Sequence, residues 1–218
     1  MKVLIAVPCM DMVSTSFMTS LVGLDSLPDA EVEMCAVQSS LVYDARNDLG
    51  QRAIAGGYDR VLWLDSDMVF PGNIITRLNK RLDEGLDFVS GLYFTRKEPI
   101  MPTLYKDVRM EEDPEHGKKT AVLEPYPDYP KDSLFEIASC GFGCVMMKTE
   151  IISEIFKNFG LPFSPVLGFG EDISFCLRAS KLGYKLWCDS SIKLGHVGYT
   201  VITESIYDGE RKVGWLTK

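Results

Sequence analysis

Short apolar runs alternate with stretches of helical periodicity along this chain, and each run is closed by a polar or turn residue. Apolar runs this short, bounded in this way, predict strands at residues 3–7, 32–37, 61–64 and 88–94. Between 44 and 55, Ala45, Leu49 and Ala53 recur at four-residue spacing, which places them on one face of a helix that Gly56-Gly57 ends. A second helix follows Asn73, with Ile74, Ile75, Leu78 and Leu82 on one face and Gly85 behind it. Residues 106–133 are polar and punctuated by proline, and they predict mobile excursions around one short strand at 120–123. The pattern resumes in "LFEIASCGFGCVMMK", read as two strand pieces broken by Gly141 and Gly143. Thr149 is then placed to cap a helix carrying Ile151, Ile152, Ile155 and Phe156. A last helix starts at Glu171, buries Ile173, Cys176 and Leu177, and ends at Gly183. Strands alternating with helices in this manner predict an α/β sandwich.

Composition narrows the classes. The chain has 218 residues, 46% hydrophobic and 25% charged, enough apolar surface for one globular domain. Its net charge of -8 and the absence of a basic stripe argue against nucleic-acid binding, so an anionic ligand needs a metal or a local pocket. The six cysteines include no CxxC pair and read as thiols in a reducing compartment. The opening "MKVLIAVPCMDM" is interrupted by Pro8 and Asp11 and lacks a small-residue cleavage site, so it reads as a strand rather than a signal peptide. No apolar run reaches the roughly 20 residues of a membrane span, and the expected location is cytoplasmic.

Candidate chemistry starts with "VLWLDSDMVF", where Asp65 and Asp67 directly follow a buried run. Ligands of open α/β sheets bind beyond the carboxyl ends of the strands, and an i, i+2 pair on extended backbone points the same way. Two such carboxylates can share a divalent cation that keeps open positions for phosphate oxygens, or they can simply form an acidic loop before the helix at Asn73. Glu171 and Asp172 open a helix after Gly168 and Gly170. Acids there suit the helix dipole, and one of them could also take a proton from a sugar hydroxyl. His116 falls in the charged excursion and reads as solvated. His196, between glycines in "KLGHVG", is either a structural histidine or a third metal ligand.

Taken in order, "ARNDLGQRAIAGGYDRVLWLDSDMVF", "VSGLYFTR", "CGFGCVMMK", "GEDISFCLRASKLGYK" and "GHVG" resemble the family 2-type GT-A glycosyltransferases. The resemblance implies a single GT-A (Rossmann-like) domain at residues 1–199, with a mixed central sheet flanked by helices, and a C-terminal tail at 200–218. It also implies transfer of a sugar from a nucleotide diphosphate sugar, UDP favoured and GDP possible, to an acceptor hydroxyl on a glycan, lipid or protein. Mn²⁺ or Mg²⁺ would sit on the diphosphate. Carried over, Asp67 and His196 bind the metal, and Asp65 touches the ribose or sugar and can share the metal. Pro8 lies beside the base, Arg46 near the donor, and Gly141 and Gly143 flank the transferred sugar or acceptor. Asp172 is the base of an inverting reaction, with Glu171 beside it. The family's Asp-Asp-Gly-Ser-like turn after the second strand is missing, and Ser39, Ser40 and Asp44 stand there instead.

Two other classes fit parts of the pattern. "LWLDSDMV" also suits a phosphatase of the haloacid dehalogenase type, with Asp65 as nucleophile and Asp67 as general acid, although two strands and a helix already precede it. A nonenzymatic binder of nucleotide sugars would keep the metal site without a working base. In the tail, Ile206, Val213, Trp215 and Leu216 form either a fraying amphipathic end or a cover for the site or a neighbour.

Overall fold

The computed structural model describes residues 1–112, 119–198 and 201–207, with only the backbone of Lys119, Thr120 and Ile206. His116, Val213, Trp215 and Leu216 lie outside the described residues, as does the side chain of Ile206. The chain order is β1 (Lys2–Cys9), α1 (Thr15–Val22), β2 (Glu31–Gln38), α2 (Val42–Ala55), β3 (Arg60–Leu64), β4 (Met68–Val69), α3 (Ile74–Asp83) and β5 (Phe88–Leu92). Then follow β6 (Leu104–Glu112), β7 (Lys119–Pro125), β8 (Leu134–Ile137), β9 (Ser139–Cys140), β10 (Cys144–Lys148), α4 (Thr149–Phe159) and α5 (Glu171–Lys181). The last elements are β11 (Leu186–Lys193), β12 (Gly195–Val197), β13 (Val201–Ile202) and α6 (Glu204–Tyr207).

A seven-stranded mixed sheet runs in the order β2-β1-β3-β10-β5-β11-β8. Strands β2, β1 and β3 are parallel, β10 runs antiparallel between β3 and β5, and β11 is parallel to β5. Because side chains alternate across a strand, both faces must be covered. Val3, Ile5, Val7, Leu62 and Leu64 join Ile74, Ile75, Leu78 and Leu82 of α3 in one core. Leu4, Ala6, Val61 and Trp63 join Leu49 and Ala53 of α2, Ile151, Ile152 and Ile155 of α4, and Phe175 of α5 in the other. The result is the three-layered arrangement that the α/β pattern predicts, and among the described residues no helix is long and apolar enough to cross a membrane.

Several local expectations change. The strand expected at 120–123 is present within β7, but the stretch around it, read as an excursion, is the long hairpin β6–β7, whose pairing extends through β6 to β9. Its charges pair along and across the strands, as in Arg109 with Asp107 and Glu124, so a hydrophobicity pattern could not reveal it. The strand at 88–94 ends at Leu92, and Phe94 forms only an isolated bridge with Pro102. Thr149 lies inside the first turn of α4, and its hydroxyl is buried without a hydrogen-bond partner among the described residues instead of capping the helix. Leu177 is half-buried, while Phe175 and Ala179 take the core positions of α5. Helix α1, rich in Ser and Thr, gave no periodic signal, and it is held by the Ser14 hydroxyl accepting the Phe17 N–H at 3.0 Å.

Candidate active site

The register of β1, β2 and β3 brings their carboxyl ends to one edge, where Pro8, Ser39, Ser40 and Asp65 come together. A cleft of about 510 Å³ opens there, bounded also by Met10, Met12, Arg46, Asp67, Glu171 and Asp172. A second cavity of about 450 Å³ adjoins it, walled by Thr103, Tyr105, Gly141 and His196. Asp65, Tyr93, Arg96 and Asp172 line both, so they form the boundary between the two spaces.

Arg46 organises the floor. It projects from α2, is only 2% exposed, and donates from Nη2 to Asp65 Oδ1 at 2.8 Å and from Nε to Glu171 Oε1 at 3.4 Å. Its guanidinium packs over Phe142 at 5.4 Å and Trp63 at 5.9 Å, so aromatic faces and two carboxylates share its charge. Burial opposes that charge, but Asp65, Glu171 and Asp172 outweigh it and raise the pKa further. Its Nη1 is buried and has no hydrogen-bond partner among the described residues. Burial in turn pushes the Asp65 carboxyl above its ordinary value, with the nearby Asp67 adding to the effect against the pull of Arg46.

The acids at the start of α5 differ in use. Leu167 and Gly168 both adopt left-handed backbone, with φ of 54° and 85°, and this turn delivers Glu171 and Asp172 to the cleft. Glu171 is tied to Arg46, whereas Asp172 accepts the Ile173 N–H at 2.7 Å and lines both cavities. Desolvation first, and the charge of Glu171 second, push Asp172 up to about 6.

Asp67 and His196 meet although 129 positions apart in sequence, because β12 pairs with β4 and the Val197 N–H donates to the Asp67 carbonyl at 2.8 Å. His196 Nδ1 lies 2.8 Å from the Phe94 carbonyl, which can only accept, so Nδ1 carries the proton and Nε2 faces Asp67 Oδ2 at 3.4 Å. Burial pulls the His196 pKa down, but the hydrogen bonds to Asp67 and the Phe94 carbonyl overcome it and raise it. Burial likewise pushes Asp67 up, but His196 and Arg96 hold it below the usual carboxylate range. Arg96 donates from Nη1 to that same Asp67 oxygen and to the Val197 carbonyl at 3.3 Å.

Among the described residues no three His, Cys, Asp or Glu side chains gather closely enough to hold a metal by themselves. The Asp67–His196 pair still offers an oxygen and an oriented imidazole nitrogen, a donor set that suits Mn²⁺ or Mg²⁺ once ligand oxygens supply the remaining positions. Asp65 is engaged by Arg46 beside them. Gly141 reaches the second cavity, but Gly143 lies beneath Tyr93, donating its N–H to the Tyr93 hydroxyl at 2.9 Å. An added Cβ would stand 2.2 Å from that hydroxyl at Gly141 and 2.7 Å from the ring at Gly143, so packing alone requires both glycines. Pattern reading did not single out Arg96, Tyr93 or Phe142. Arg96 follows the end of a central strand, as Asp65 does, and the same strand-end argument would have found it.

No protein-family model matches the chain, and no curated protein matches its sequence. Solved structures do. A197 from STIV aligns with a TM-score of 0.62 at 20% identity, over 93% of this chain and 94% of its own. GalNAc-T7, solved with UDP, GalNAc and Mn²⁺, aligns with a TM-score of 0.57 at 12% identity, over 90% of this chain but only 44% of its own. The mixed α/β architecture is that of a single GT-A-like domain.

Proposed function

We propose that this chain is a glycosyltransferase that moves a sugar from a nucleotide diphosphate sugar, UDP-sugar favoured, to an acceptor hydroxyl with inversion. The observation that carries this reading is Asp172, a largely desolvated carboxylate at the junction of two adjoining cavities, with its pKa pushed up to about 6. A base poised near working pH can accept a proton without holding it too tightly. The GT-A-like fold supports the same reading, as does a neighbour of that fold that carries UDP, GalNAc and Mn²⁺.

In this assignment the donor occupies the first cleft, its base beside Pro8 and its diphosphate toward Asp67, while the acceptor enters through the second. Asp172 takes the hydroxyl proton as the acceptor oxygen bonds to the anomeric carbon, and the bond from that carbon to the diphosphate breaks with its electron pair leaving on the diphosphate. Asp67 and His196 would hold a divalent cation, which when bound stabilises charge on the leaving diphosphate. Arg46 fixes Asp65 and Glu171, so Asp172 is the carboxylate left free to exchange a proton. The ion pair with buried Arg46 also disfavours Asp65 as a phosphatase nucleophile.

A thermal-shift panel of UDP and GDP sugars with and without Mn²⁺, followed by mass spectrometry of transfer products, tests the assignment. Joint stabilisation by one nucleotide diphosphate sugar and Mn²⁺ is expected. No stabilisation by any member, or rapid phosphate release from a generic phosphate ester with Mg²⁺, overturns it.

A further inference from the structure

The Asp67–His196 pair is covered by a cation that the protein itself provides. Arg96 Nη1 contacts the Asp67 oxygen that faces His196 Nε2, and it also donates to the Val197 carbonyl. The guanidinium therefore stands where a cation shared by Asp67 and His196 would have to approach. The loop that carries it is closed at its base by the Phe94–Pro102 bridge and by the Thr95 N–H donating to the Met101 carbonyl at 2.8 Å. The side chain is 47% exposed on a long flexible stem and borders both cavities, so it can leave Asp67 without moving the backbone. Guanidinium groups match phosphate oxygens as well as they match carboxylates.

We infer that Arg96 is a positioning residue that competes with the divalent cation for Asp67 and changes partner to the donor's diphosphate when cation and donor bind together. This rests on the proposed nucleotide-diphosphate site. Cation alone must displace Arg96 into water, whereas cation with diphosphate gives Arg96 a new anionic partner. Loading is then cooperative, and the acidic cleft does not retain a cation in the absence of donor.

The consequence is a pair of effects with opposite sign. Arg96→Gln removes the charge and keeps much of the length. Without nucleotide, Mn²⁺ affinity, read from the loss of the free Mn²⁺ electron paramagnetic resonance signal, should tighten about two- to fivefold, the scale of a partly exposed ion pair. Affinity for UDP or GDP at saturating Mn²⁺, read by calorimetry, should fall about tenfold or more because a charge-assisted contact is lost. Arg96→Lys should lie between parent and Gln variant on both measures. Unchanged Mn²⁺ affinity in Arg96→Gln overturns the inference, and so does a fall in both affinities, which would mark Arg96 as mere support for the site. In either case a parent protein that binds nucleotide with Mn²⁺ leaves the proposed function standing. If neither protein binds any nucleoside diphosphate with Mn²⁺, both readings fail together.

Discussion

Asp172 and Arg46 show how a single side chain is given its task by burial and charge. Asp172 has its pKa raised from 3.8 to about 6, so the folded state binds its proton more tightly than the unfolded chain does. Its stabilising contribution is therefore complete below pH 3.8 and is lost as pH rises through about 6. Asp172→Asn should raise the melting temperature at pH 7.5, by the equivalent of roughly 1–3 kcal/mol, and leave it unchanged near pH 4. The same variant should lose turnover by about 10² or more at saturating donor and acceptor, while parental turnover climbs with pH through about 6. If Asp172→Asn turns over at the parental rate while Glu171→Gln is inactive, the roles of the two acids are reversed. Arg46→Ala strands Asp65 and Glu171 without their buried counter-charge, and a loss of about 3–5 kcal/mol is expected in urea unfolding. Adding Asp65→Asn and Glu171→Gln should return part of that loss, because the uncompensated charges go with them.

At the level of elements, the strap formed by β13 and α6 is tied to the cation side of the site. Strand β13 pairs with β12, placing Ile202 opposite His196, and Tyr207 stacks on Phe94 at 4.6 Å. Phe94 is the residue whose carbonyl orients His196. Glu204, 12% exposed, latches the strap through Lys193, Lys131 and the Tyr129 hydroxyl. Burial pushes its pKa up, but the lysines and Tyr129 hold it below the usual range. Glu204→Ala should lower stability by about 1–3 kcal/mol and weaken joint Mn²⁺ and nucleotide binding, because His196 loses the support behind its orienting carbonyl. Calorimetry on a variant that remains folded checks this, and undiminished binding would separate the strap from the site. The strap was not legible in sequence, since a two-residue strand and a one-turn helix carry too little periodicity to read. Helices α2 and α3 were legible because their buried faces repeat every three or four residues.

Across the whole molecule, two packed cores leave little sulfur chemistry to the surface. All six cysteines are free, with Cys140, Cys144, Cys176 and Cys188 buried and Cys9 and Cys35 only half-buried. A thiol reagent should therefore label at most two cysteines in the native protein and six after denaturation, and burial, which raises the Cys9 pKa, should make that site slow. Rapid native labelling of more than two would show that the sheet opens far more readily than its packing implies.

The central strands and the amphipathic helices follow from sequence alone, because a short apolar run closed by a polar residue and repetition every three or four residues are local properties that burial imposes directly. The position of Asp65 and Asp67 at a strand end was legible for the same reason. Which acid is free and which is tied was not, since that depends on Arg46 reaching Asp65 across 19 positions and Glu171 across 125. Of hairpin β6–β7 only the second strand was legible, because β6 is largely polar and is defined by its cross-strand pairing rather than by an apolar run. Likewise, His196 met Asp67, and Arg96 covered both, only through the pairing of β12 with β4 and the loop after β5. Short-range pattern decides which segments become strands and helices, whereas the charge environment of each site residue is set by partners far away in the chain, and only the closed tertiary structure brings those together.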